Sequence, residues 1–383
     1  RDCWHLMSEQ FMADPVLAQT AQAKYAAAIG TDDEALAEVR LRKSTVSPRR
    51  RLLQRFSVFP EGIQFLVNMR AEFLPFLKSD KRLLALDAEM EYMFSTWFDV
   101  GFLYLYRISW DSPASLIEKL IKYEAVHDIK SWADMKNRLD SDRRCYGFFH
   151  PRLPNEPLIF VEVAMLHDMA SGISPLLDEQ AAAEDLNKAT TAIFYSISST
   201  QPGLRGVSFG DSLIKTVVET LKLEFPRLKT FATLSPIPGF RSWLAKNAAA
   251  MVERMDEKAL LKLGKAVGFQ PPTPDHFLFA LEKISEMDVK SPISQTLLTC
   301  AAHYLGLELR DGEPLDPVAR FHLGNGARVE RLNWAGDLSN KGIKQSYGLM
   351  VNYLYDLKRL DKHRYMLAQG KVPVSSEVES LYI

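Results

Sequence analysis

The stretch TTAIFYSISSTQPGLRGVSFGDSLIKTVVETLKLEFPRLKTFATLS, residues 190–235, decides the fold. Its two ends, TTAIFYSISS (190–199) and RLKTFATLS (227–235), are short apolar runs bounded by turn residues and read as strands. Between them, GDSLIKTVVETLKLEF places Leu213, Ile214, Val217, Val218 and Leu221 on one helical stripe. Strand, loop, helix, strand reads as a βαβ unit. The loop, STQPGLRGVSFGDSLIK (199–215), is rich in glycine and runs into a helix N-terminus. Backbone N–H groups in such a loop suit phosphate or pyrophosphate, and an ordinary glycine-bearing turn has the same composition.

Outward from this unit the pattern differs on the two sides. The first hundred residues read as helices. ADPVLAQTAQAKYAAAIG (13–30) offers Asp14 as N-cap, Pro15 at the first helical position and Gly30 as a stop. EGIQFLVNMRAEFLPFLK (61–78) puts Ile63, Leu66, Met69, Phe73 and Leu77 on one face. KRLLALDAEMEYMFSTWFDVG (81–101) does the same with Leu83, Leu86, Met90, Met93 and Trp97. Short polar links between them suggest an antiparallel bundle. From FLYLYRISW (102–110) onward, β-rich stretches alternate with helices, and EPLIFVEVAML (156–166) is a further buried strand. Residues 240–307 hold four helical patterns. FHLGNGARVERLNWAGDLS (321–339) reads as a glycine-rich turn feeding a strand, and YGLMVNYLYDL (347–357) as a last strand.

The bulk numbers narrow the function. A chain of 383 residues exceeds one ordinary core and points to two or three domains. With 47 Lys+Arg against 48 Asp+Glu, no basic excess points to nucleic acid. Cys3, Cys145 and Cys300 are scattered and odd in number, which suits a reducing compartment better than a disulfide framework. No CxxC, HExxH or short His-x-His spacing announces a metal. No apolar run approaches the ~18 residues of a membrane span, RDCWHLMSEQ does not read as a signal peptide, and SLYI is not a peroxisomal address. The expected compartment is the cytoplasm. The run Arg49–Arg51 with Arg55 reads as a solvated helix face.

Three side chains invite a chemical reading. GVSFG (206–210) matches the G-x-S-x-G nucleophile elbow around Ser208. An elbow needs a strand running straight into the turn, and Gln201, Pro202 and Gly203 interrupt it. Ser235 ends a strand and precedes Pro236, Pro238 and Gly239. It serves either as a turn residue or as a hydroxyl held at the ligand-facing end of a strand. His322 lies beside Gly324, Asn325 and Gly326, where a packed histidine and a proton donor are both compatible with the pattern. Tyr353 and Tyr355 read as core.

TAIFYSISSTQPGLRGVSFGDSLIK, FPRLKTFATLSPIPGF, LDPVARFHLGNGARVERLNW and SYGLMVNYLYDL closely resemble the malonyl-CoA decarboxylase family, as does WADMKNRLDSDRRCYGFF. The resemblance runs in order from about residue 60 to 360. It implies an α+β chain: residues 1–104 as a helical self-association domain, and 105–383 as a catalytic acyl-CoA-binding domain. The latter would have a mixed sheet like that of the GCN5-related acetyltransferases, with added helices. It implies a homo-oligomer, a tetramer in the simplest case, working in fatty acid metabolism. It places substrate binding on Arg205, Gly206, Val207, Ser208, Phe209, Gly210 and Asp211, catalysis on Ser235 and His322, and Tyr355 near the reacting groups. Ser208 stands where acetyltransferases of that fold carry the middle glycine of their pyrophosphate loop.

Malonyl-CoA and acetyl-CoA are then the expected small-molecule partners, with no cofactor and no metal, because the thioester carbonyl itself takes up the electrons released with CO2. His322 is the expected proton donor, its ordinary value near 6.5 allowing both charge states at neutral pH. Ser235 is expected to anchor the malonyl group. The alternatives are an acyl-CoA-dependent acyltransferase on the same fold, a serine hydrolase built on Ser208, and a non-catalytic acyl-CoA-binding regulator.

Overall fold

In the computed structural model, residues 1–207 and 212–382 are described. The chain divides into two compact units that are not simple halves. The first comprises residues 1–104, Phe148–Ile159 and residues 199–207; the second comprises Leu105–Gly147, Phe160–Ser198 and residues 212–382. The expected α+β arrangement is what the chain adopts.

The first unit is built on the helices Pro15–Ala28, Glu34–Thr45, Pro48–Phe56, Gly62–Phe73 and Leu84–Trp97. Asp14 caps the first of these, its carboxylate accepting the N–H groups of Val16 and Leu17 at 2.9 and 3.3 Å. The apolar faces of the last two make the core: Ile63, Leu66, Phe73, Leu86, Met90 and Phe94 are buried, with Leu204 and Val207 from the loop segment among them. Arg49 corrects the reading of the basic run as solvated. It is buried, donating to the Met7 and Ser8 carbonyls and lying 3.7 Å from Glu89. Its neighbour Arg50 also pairs with Glu89 and is half-buried, while Arg51 and Arg55 are exposed, as the reading expected.

The second unit is organised by a mixed sheet. Its strands are β1 (Tyr104–Ile108), β2 (Arg143–Phe149), β3 (Ile159–Leu166), β4 (Thr191–Ser199), β5 (Thr230–Thr233) and β6 (Ser235–Pro236). A small hairpin follows, β7 (Leu309–Arg310) with β8 (Glu313–Pro314), and then β9 (Arg328–Asn333) and β10 (Met350–Leu354) complete the sheet. The order is β1-β2-β3-β4-β5-β10. β6 continues the edge of β5 along β10, and β9 pairs with β10.

The βαβ unit is present. β4 and β5 pair in parallel from Thr191↔Thr230 to Phe194↔Thr233, joined through the helix Ser212–Glu224. That helix buries Leu213, Ile214, Val217, Val218 and Leu221, the expected stripe. β10 runs antiparallel to β5, with Leu354 opposite Ala232, so the sheet is mixed.

Under β3 and β4 lies a dense polar cluster. The fully buried Arg138 donates from Nε to Asp134 at 2.7 Å, and its terminal nitrogens donate to Glu162 at 3.0 Å and to the His127 carbonyl at 2.9 Å. Glu124 accepts the hydroxyls of Ser196 and Ser198. Burial, reinforced by the Glu124 charge, pushes the Glu162 carboxyl up to about 8. Removing Arg138 leaves the buried Asp134 carboxylate uncompensated, and breaking a buried ion pair in this way costs about 3–5 kcal/mol. Arg138→Met should therefore lose about that much stability in chemical denaturation. Arg42→Ala, whose pair with Glu38 is exposed, should stay within about 0.5 kcal/mol of the parent. Equal, small losses at both positions would contradict the account.

Candidate active site

Ser235 sits where the β5 edge is interrupted at Leu234 and resumes for two residues. Val351 of β10 pairs with Ser235 itself, which fixes the serine backbone inside the sheet. The chain then turns through Pro236, Pro238 and Gly239 into the helix Phe240–Glu253. Gly239 is required by close approach: a Cβ there would lie 2.3 Å from the Tyr304 hydroxyl oxygen.

His322 corrects the turn reading. It lies in the last turn of a helix, Pro317–Gly324. Asp316 and Pro317 start that helix as Asp14 and Pro15 start theirs. Asp316 accepts the N–H groups of Val318 and Ala319 at 2.9 and 3.0 Å. Its other oxygen takes the Gly239 N–H and the Tyr304 hydroxyl, both at 3.4 Å. One buried carboxylate thus binds the turn after Ser235 to the helix that carries His322.

The side chains meet in a line. His322 Nε2 is 3.3 Å from Ser235 Oγ, and Nδ1 is 2.7 Å from the Tyr355 hydroxyl. Ser235 donates its own hydrogen to Thr233 Oγ1 at 2.8 Å, and Thr233 Oγ1 also accepts the Tyr353 N–H at 3.1 Å. With the serine hydrogen committed to Thr233, Nε2 carries the imidazole hydrogen toward Ser235, and Nδ1 accepts from Tyr355. The Tyr353 ring stacks on the imidazole at 4.7 Å between centroids. Tyr355 follows β10 and is held by its N–H to the Phe231 carbonyl at 2.9 Å.

Ser235, His322 and Tyr355 are 5, 4 and 4% exposed, and this dryness sets the charge. Burial drives the His322 imidazole down to about 3, so it is neutral at physiological pH, contrary to the expectation that both states are accessible there. Burial likewise holds the Tyr355 phenol well above its ordinary range.

The sequence-predicted residues divide into three groups. Ser235, His322 and Tyr355 come together in the second unit. Arg205, Gly206 and Val207 belong to the first, with Gly206 at φ 85° and Val207 in the core. Ser208, Phe209, Gly210 and Asp211 lie outside the described residues. Sequence reasoning does not single out Asp316, Tyr304, Thr233 or the stacking role of Tyr353. The Asp–Pro pair at 316–317 is a readable helix-start signal; the Thr233–Ser235 bond depends on strand geometry. Among the described residues, no group of three or more His, Cys, Asp or Glu side chains could hold a metal, and no helix is long and apolar enough to cross a membrane.

The site is thus an imidazole buried between two hydroxyls, carried by one helix and the edge of a mixed sheet in an α+β chain. The family can then be given. Residues 101–382 match the malonyl-CoA decarboxylase C-terminal domain, and residues 11–98 match the malonyl-CoA decarboxylase N-terminal domain. The mitochondrial malonyl-CoA decarboxylase of the goose Anser anser anser is 38% identical over 336 residues, covering 84% of this chain and 66% of the goose protein, just under two thirds. That of Mus musculus is 37% identical over 359 residues, covering 90% of this chain and 73% of the mouse protein. The crystal structure of malonyl-CoA decarboxylase from Rhodopseudomonas palustris superposes with a TM-score of 0.84 at 42% identity, covering 98% of this chain and 89% of that one. The corresponding structure from Cupriavidus metallidurans gives 0.79 at 44%, covering 99% and 98%. The chain belongs to the malonyl-CoA decarboxylase family.

The charge state has a thermodynamic signature. Between about 3 and the ordinary ~6.5, the unfolded chain binds a proton at residue 322 that the folded chain refuses. Stability from this source is full above ~6.5 and is lost as pH falls toward about 3. His322→Gln removes the titration, so its stability relative to the parent should improve steadily from pH 7 to about 4 in matched urea titrations. A pH-independent difference would contradict a neutral, buried imidazole.

Proposed function

We propose that the chain converts malonyl-CoA to acetyl-CoA and CO2, with Ser235 and His322 as the catalytic residues. The observation that carries this reading is the buried line from Ser235 through His322 to Tyr355 in a chain of this family. Decarboxylation breaks the bond between the α-carbon and the carboxylate, and the electron pair passes into the thioester enolate. Ser235 anchors the malonyl group, at its carboxylate or at the developing enolate oxygen, by turning its hydroxyl hydrogen from Thr233 to the substrate when malonyl-CoA binds. His322 delivers its Nε2 proton to the α-carbon, which completes the acetyl group; the Tyr355 hydroxyl at Nδ1 stabilises the imidazolate this leaves, and water entering as acetyl-CoA departs returns the proton. A neutral imidazole is competent in this role because the carbon of a thioester enolate is a stronger base than an imidazolate; a neutral histidine also serves in triosephosphate isomerase, where it polarises a carbonyl oxygen. The negative substrate arriving beside Nε2 also raises the imidazole's proton affinity.

The stretch from Arg205 to Asp211 holds the pyrophosphate of CoA through backbone N–H groups. No resident cofactor is called for, since the thioester is its own electron sink. We read the chain as a homo-oligomer joined through its N-terminal helices. Support comes from Val16, Leu17, Ile29 and Leu36, which stay exposed on the pair of helices after residue 14. A reducing compartment, the cytoplasm in our reading, suits its three free thiols.

Incubation with malonyl-CoA alone should release CO2 and acetyl-CoA in equal amounts. His322→Asn should lower kcat by at least about 100-fold through loss of the acid, and Ser235→Ala by about 100-fold through loss of an oxyanion donor. Full activity in either variant would overturn that residue's role, and malonyl-CoA binding without turnover by the parent would overturn the activity.

A further inference from the structure

We propose that Arg70, on the helix Gly62–Phe73 of the first unit, is the positioning residue that pre-shapes the acyl-CoA loop. The inference rests on the reading of that loop as the CoA-binding segment. Arg70 is 1% exposed, and its guanidinium uses every face. One terminal nitrogen donates to the carbonyls of Gly203 and Arg205 at 2.9 and 2.8 Å. Nε donates to Asp87 at 2.8 Å, and the other terminal nitrogen to Glu91 at 3.1 Å. Both acids lie on the helix Leu84–Trp97, one turn apart. They neutralise the buried cation and hold its fork toward the loop. The planar, preorganised fork is what lysine lacks.

Two further contacts show that the loop is built onto this helix. Gly203 lies so close to it that a Cβ there would be 1.9 Å from the Val67 carbonyl oxygen. Leu204 and Val207 are buried in the same apolar cluster as Leu66, Val67 and Met90. The bond to the Arg205 carbonyl has a directional consequence. In a trans peptide the C=O and the following N–H point opposite ways, so fixing that carbonyl on Arg70 turns the Gly206 N–H to the far side. A cation buried in the helical unit thereby sets the direction of an amide donor in the segment assigned to the pyrophosphate. Arg70 is therefore assigned to CoA recognition and not to the carbon chemistry.

The test compares malonyl-CoA with malonyl-pantetheine, which carries the same reacting group and no pyrophosphate. In the full-length protein, Arg70→Lys should raise KM for malonyl-CoA by about tenfold or more, the scale of a lost charge-assisted hydrogen bond. Its kcat should stay within about twofold, and kcat/KM for malonyl-pantetheine should not change. Glu91→Gln, on a half-exposed partner, preserves folding and should shift KM in the same direction by about twofold. Equal losses on both thioesters, or a fall in kcat with KM unchanged, would overturn the proposal and leave Arg70 a purely structural residue. A parent enzyme that decarboxylates both thioesters alike would remove the loop's role, and this proposal with it, while leaving the activity in place.

Discussion

The Asp316 carboxylate is shared between the two elements that carry Ser235 and His322. One oxygen caps the helix that ends with His322, and the other takes the Gly239 N–H and the Tyr304 hydroxyl. A buried carboxylate with no partners would be expelled from such a place or protonated. Burial does raise the Asp316 carboxyl, while its backbone and hydroxyl donors act to lower it. The arrangement is also geometric. The donors come from residues 239, 304, 318 and 319, so the acid fixes the turn after Ser235, the helix Pro292–Gly306 and the histidine helix against one another. A separation of 3.3 Å between Ser235 Oγ and His322 Nε2 survives only if those elements keep their places.

Dryness and chemistry are connected through the same constraint. The elements that Asp316 unites exclude water from the imidazole, and exclusion of water drives its proton affinity down. A histidine left at its ordinary value would exchange protons with solvent and act as a base as readily as an acid. Held neutral, with its hydrogen on Nε2 and a phenol against Nδ1, it is in the proposed reaction an oriented donor whose proton leaves only when a strongly basic centre forms beside it. The Tyr353 ring stacked on its face limits rotation, and preorganised donors of this kind are effective because they need no rearrangement as charge develops.

Much of this architecture is legible in the amino-acid sequence. The stripe at 213–221, the strands read at 190–199 and 227–235, and the Asp14–Pro15 helix start follow from local patterns, because backbone sterics and capping act within a few residues. Pattern alone puts Ser235 at a strand end, and the family resemblance singles it out together with His322 and Tyr355. The remainder depends on distance in the chain. His322 reads as part of a turn because the glycines after it dominate the pattern, although Asp316 and Pro317 before it start a helix. Arg49 reads as solvated because nothing local shows Glu89 waiting 40 residues on. Residues 199–207 belong with the helical unit because Arg70 and Val67 grip the backbone there, and carbonyl acceptors leave no mark on a sequence. The charge state of His322 follows from burial, which no motif encodes.

The claim that organises these observations is that His322 is a neutral imidazole with its hydrogen on Nε2. Nitrogen-15 spectra of protein labelled in the histidine rings, with His322 assigned by its loss in His322→Gln, report this directly. The account predicts one protonated and one unprotonated ring nitrogen at pH 7, with Nε2 protonated, unchanged down to about pH 5. Two protonated nitrogens at pH 7, or the opposite tautomer, would contradict it.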